Sequence, residues 1–70
     1  MTEYVIERTE GGERFRLGPD YHLGFPYWFG VKTSGWYPYV FESVQKALAF
    51  MDNDPFADFD NAEVMPYETH

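Results

Sequence analysis

The chain has 70 residues, no cysteine, and 12 acidic against 5 basic side chains, for a formal net charge of −7. This length leaves room for one thin core in one domain, residues 1–70, and the missing cysteine excludes disulfides and thiolate zinc sites. The charge argues against direct binding of nucleic acid or anionic membranes, which both rely on Lys and Arg, and favours a partner with a basic surface.

Met1-Thr2-Glu3-Tyr4 lacks a basic region followed by an apolar run, and no stretch reaches transmembrane length. With cysteine absent as well, the expected setting is cytoplasmic. Aromatic residues make up 21% of the chain. Each buried ring withdraws roughly 150–250 Å² from water, enough to hold a short chain together but leaving little space for a catalytic cavity.

Residues 3–17 predict a β-hairpin turning at Gly11-Gly12, because two adjacent glycines accept the positive φ angles of a type I′ turn. That turn fixes the register. Ile6 falls opposite Leu17, Arg8 opposite Phe15 and Glu7 opposite Arg16. Tyr4, Ile6, Phe15 and Leu17 then share an apolar face, and Glu3, Glu7, Thr9, Arg14 and Arg16 share the other.

Residues 18–26, bounded by Gly and Pro, read as a loop whose Tyr21, Leu23 and Phe25 fold back over the core. Residues 27–41 read as a second hairpin turning at Ser34-Gly35. Its register pairs Phe29 with Val40, Trp28 with Phe41 and Gly30 with Tyr39. Pro38 cannot donate to a ladder, which makes 36–41 an edge or a bulge.

Residues 43–52 form the one expected helix. Val44, Ala47, Leu48 and Met51 make an apolar stripe, Ser43 caps the start, Glu42 reaches Lys46, Asn53 suits a left-handed cap and Asp54-Pro55 stops the helix. An acidic loop, 54–61, carries Phe56 and Phe59. A last edge strand, 62–67, turns Val64 inward and contains Pro66. The expected fold is α+β: an antiparallel sheet of four to five strands in the order β-β-β-β-α-β, with the helix on one face.

Both faces of the second hairpin are apolar, and one helix covers only one of them. Trp28, Tyr37, Tyr39 and Phe41 fall together on one side. Either the 18–26 loop covers the remaining face, or a twin subunit or a partner does; Tyr and Trp are enriched where partners bind. After Lys46 the chain has no Lys or Arg but carries Asp52, Asp54, Asp58, Asp60, Glu63 and Glu68. Such a run is either a solvated loop or a complement to a basic groove.

Counted from Asp52, acids at the third, seventh, ninth and twelfth positions resemble part of an EF-hand loop. Phe56 and Ala57, however, stand where a ligand and the turn glycine belong. No metal or other cofactor is expected. His22 stands alone in a loop and His70 is near the end. Ser34 and Ser43 lack a neighbouring base, and Gly11-Gly12 is a turn rather than a phosphate cradle, so an enzyme is not expected. The rings could stack sugars, but base stacking normally comes with a positive groove.

The run Tyr39-Val40-Phe41-Glu42-Ser43 into an Ala47-Leu48 helix and then Ala62-Glu63-Val64 covers the last half of the chain. With the small size and acidity, it resembles small phage-encoded inhibitors, the class that includes anti-CRISPR proteins and inhibitors of host RNA polymerase. The resemblance is one of layout and carries over no individual residue. It implies occupation of the basic surface of a nucleic-acid-handling partner. The expected function is therefore that of a non-enzymatic, acidic interaction protein, monomeric or a homodimer. Asp54, Asp58, Asp60 and Glu63 would meet Lys and Arg, and Trp28, Tyr37 and Tyr39 would anchor. The alternatives are an assembly subunit that buries its aromatic face in a homo-oligomer, and a small-ligand or carbohydrate binder.

Overall fold

The computed structural model describes residues 2–20, 22, 24–33, 35–55 and 57–67. The expectations for Tyr21, Leu23, Ser34, Phe56, Glu68 and His70 lie outside these. The elements run β1 (Glu3–Glu10), β2 (Glu13–Asp20), β3 (Phe25–Gly30), α1 (Val44–Asn53) and β4 (Ala62–Tyr67). The four strands form one antiparallel sheet in the order β3-β2-β1-β4, and α1 lies on its front face. The layout is α+β, with four strands.

β1 and β2 turn at Gly11 and Gly12, at φ 60° and 84°, and pair Glu7 with Arg16 and Arg8 with Phe15, as the two-glycine turn requires. The ladder stops at Glu7–Arg16, one step short of the expected Ile6–Leu17 pair. β2 does not end at Leu17, nor does 18–26 form a loop. The strand continues to Asp20 and pairs with β3 through Pro19–Pro26 and Asp20–Phe25. Prolines fit here because hydrogen-bonding direction alternates along a strand. The Leu17 carbonyl accepts from Tyr39 on the side away from β3, and Pro19, two residues on, faces the same way.

The expected second hairpin does not form. Thr33 N–H donates to the Gly30 carbonyl and turns the chain out of β3. Trp36 then lies on the back of the sheet, stacked on Phe29 at 4.8 Å and covering Gly18. Tyr39 N–H donates to Leu17 at 3.0 Å, and Tyr4 and Phe41 exchange two backbone bonds, of 2.9 and 2.8 Å. β4 occupies the other side of β1 and β3 the other side of β2, so residues 39–41 fill the gap between the splayed ends of β1 and β2. The chain passes there from the back of the sheet to the front. This path leaves Pro38 outside any ladder and spends a tryptophan on the back face, which a hairpin would have left bare.

Ser43 caps α1: its side chain accepts from Lys46 N–H at 3.2 Å. Glu42 and Lys46 pair at 2.7 Å. Asn53 is not a left-handed cap. It stays helical and its side chain donates to the Ala49 carbonyl at 2.8 Å, while Asp54 is the cap. The buried stripe is also rotated from the expected one. Ala47 is fully buried and Phe50 and Met51 pack inward, but Val44 and Leu48 are 41% and 48% exposed. Phe50 draws the helix round because Tyr39 and Phe41, held in the gap, offer it rings at 5.1 and 5.4 Å. The core is centred on Ile6, Leu17 and Ala47, closed by Trp28, Phe59 and Val64 among others.

Candidate functional site

Arg8 sits on the apolar front face, a position its register opposite Phe15 dictates. Its guanidinium lies over the Trp28 ring, 5.3 Å from the centroid, and pairs with Glu10. Arg8 Nη1 and Trp28 Nε1 both donate to the Asp58 carbonyl, at 3.2 and 2.9 Å. Phe59 meets Trp28 edge-on at 6.2 Å. The acidic loop is thus tied down at the backbone of Asp58. The Asp58 carboxylate accepts from Asp60 N–H at 3.0 Å, stands 3.9 Å from Arg8 and stays 68% exposed.

Asp54, Asp58 and Asp60 share this loop, which runs from the end of α1 to β4, and Asp60 is exposed. Glu63 is separated from them. Strand alternation turns it to the back face, opposite Glu7, because its neighbour Val64 packs into the front core. Among the described residues no three acidic or histidine side chains converge as a metal site would require. The three rings do not form one surface either. Trp28 and Tyr39 are half-buried in the front core, and Tyr37 stands 82% exposed.

On the back face Glu7 is only 6% exposed. Arg14 Nη2 and Arg16 Nε each donate to it at 2.7 Å. Burial pushes its carboxyl up, but hydrogen bonds and charge from Arg14 and Arg16 outweigh that and hold it below the usual carboxylate range. Glu7 in turn holds the Arg14 guanidinium above its ordinary value. Arg16 also lies over the Tyr67 ring at 5.2 Å. The turn sequence announces the Glu7–Arg16 pair, but nothing local announces its burial.

Four of the five basic side chains, Arg8, Arg14, Arg16 and Lys46, are therefore engaged by the chain's own carboxylates. Among the described residues Glu3, Glu13, Asp52, Asp60 and Glu63 form no ion pair. No described helix is long and apolar enough to cross a membrane. No protein-family model matches the chain, and neither the curated proteins nor the solved structures contain a match to it.

Proposed function

We propose that this chain is a non-catalytic interaction protein that docks on the basic surface of a nucleic-acid-binding partner and inhibits or modulates it by occupying that surface. The observation that carries this reading is the internal use of the cations. With Arg8, Arg14, Arg16 and Lys46 matched to the chain's own acids, the field felt by an approaching molecule is that of the unmatched carboxylates. Such a field repels nucleic acid and speeds encounter with a basic protein. Asp54, Asp58 and Asp60 lie on a loop pinned by Arg8 and Trp28, so they meet a partner with little ordering cost. Glu63 extends the same charge round the β4 edge, and Tyr37 is the exposed ring. Trp28 and Tyr39 support the surface from beneath.

The test is the affinity for a nucleic-acid-binding protein captured from host lysate, measured for wild type and for the Asp54→Asn, Asp58→Asn, Asp60→Asn, Glu63→Gln variant. The reading expects the variant to bind at least about tenfold more weakly, and added nucleic acid to compete. Equal affinity of the two proteins contradicts it.

A second reading, assembly of copies of this chain, is favoured by Val40, Val44 and Leu48, each more than 40% exposed. Light scattering that shows a monomer across a wide concentration range removes it.

A further inference from the structure

An apolar notch of 310 Å³ opens where β3 begins and α1 ends, lined among others by Phe25, Pro26, Tyr39, Phe50, Asn53 and Asp54. This is at the small end of the roughly 300–1,000 Å³ of small-ligand sites. Two chemistries meet in it. Phe25, Pro26, Tyr39 and Phe50, all half-buried, supply ring and hydrocarbon walls. Asp54 supplies the one carboxylate of the described lining, at the negative end of the helix dipole. The last turn of α1 has no basic residue to answer that end. The carbonyls of its final residues have no intrahelical donors, beyond Phe50, which accepts from Asp54 N–H at 3.1 Å.

We propose that this notch receives one lysine or arginine side chain of the basic partner. The proposal rests on the reading above and names the grip. A hydrocarbon stem ending in a cation matches apolar walls that include one carboxylate, and ring faces attract the cation further. Phe25, Tyr39 and Asp54 are each already engaged within the chain, so the walls are set before the guest enters. A neutral side chain of the same length would gain only from the walls.

The test is an amide-shift titration of the labelled chain with N-acetyl-arginine methylamide, its lysine counterpart and the uncharged norleucine counterpart, alongside an octa-arginine peptide. Both cationic probes are expected to shift Gly24, Phe25, Tyr39 and Asn53 saturably, and norleucine to bind at least about tenfold more weakly. Asp54→Asn should weaken the cationic probes about tenfold, while Glu13→Gln, the same change of charge at an exposed strand position away from the notch, should leave them unaltered. Asn53→Arg places a cation of the chain's own beside the notch. It should block the probes in a protein that stays folded, because the cation at the helix C-terminus offsets the lost bond from Asn53 to the Ala49 carbonyl. Equal binding of norleucine, or equal effects of Asp54→Asn and Glu13→Gln, overturns the proposal. If octa-arginine binds wild type and Asn53→Arg alike and the single-residue probes shift nothing, the notch is refuted while the basic-partner reading stands. Failure of octa-arginine to bind wild type at all refutes that reading itself.

Discussion

Glu7 is the residue on which the back of the sheet depends. Removing its charge by Glu7→Gln leaves Arg14 and Arg16 one amide oxygen to share and sets an NH2 donor against the other guanidinium; a hydrogen bond to a charged group contributes roughly 1.5–3 kcal/mol. Arg14 is itself 57% exposed and water compensates part of its loss. The expected cost is about 2 kcal/mol in total, a fall in Tm of roughly 8–16 °C for a domain this small. Because the folded value of Glu7 lies below its unfolded value, its contribution is fully present above roughly pH 4.3, the ordinary glutamate value, and is lost as pH falls through the folded value. Urea midpoints of wild type and Glu7→Gln should therefore differ at pH 7 and converge in acid; a constant difference would show that Glu7 acts through packing. Gly18 is a second such residue. A Cβ there would stand 2.8 Å from the Tyr37 carbonyl oxygen and 3.0 Å from Trp36 Cε3. The backbone partner cannot swing away, so Gly18→Ala should cost about 1–3 kcal/mol and disturb the Trp36–Phe29 stack, readable in near-ultraviolet circular dichroism.

At the scale of elements, α1 offers the simplest check. Ser43→Ala removes the acceptor for Lys46 N–H and should cost about 1 kcal/mol, seen as a Tm lower by roughly 4–8 °C with the spectrum unchanged below the transition. That cap, the Gly11-Gly12 turn, the Glu42–Lys46 pair and β4 are legible in the sequence because each is set within a few residues by turn, capping or alternation chemistry. Residues 36–41 are not legible for the opposite reason. Neighbouring strands with a glycine between them suggest a hairpin, but the partners that decide the path are Gly18 and Leu17 on β2 and Tyr4 on β1. A local reading cannot see that β1 and β2 part after Glu7–Arg16 and leave a gap. The rotation of α1 follows from the same gap, since only the rings of Tyr39 and Phe41 explain why Phe50 rather than Leu48 faces inward. The candidate site divides in the same way. The acids of the 54–61 loop are plain in the sequence, whereas Arg8 and Trp28 pinning that loop through the Asp58 carbonyl is a long-range arrangement.

For the molecule as a whole, both edges of the sheet carry a proline where an outward N–H would stand. Pro26 and Pro66 lie opposite Pro19 and Tyr4, in the pairs that make no ladder bonds. Ala62 N–H is already given to the Phe59 carbonyl, so β4 offers a docking strand little beyond Val64. Strand addition between copies is thereby discouraged, and the proposed recognition is by charge. The most direct measurement of that claim is the affinity of the chain for octa-arginine from about 50 mM to about 300 mM salt, with the contact residues mapped by amide shifts. The account predicts binding that weakens steeply with salt and a footprint over the loop from Asp52 to Glu63. Affinity indifferent to salt, or a footprint on Val40, Val44 and Leu48 instead, would contradict it.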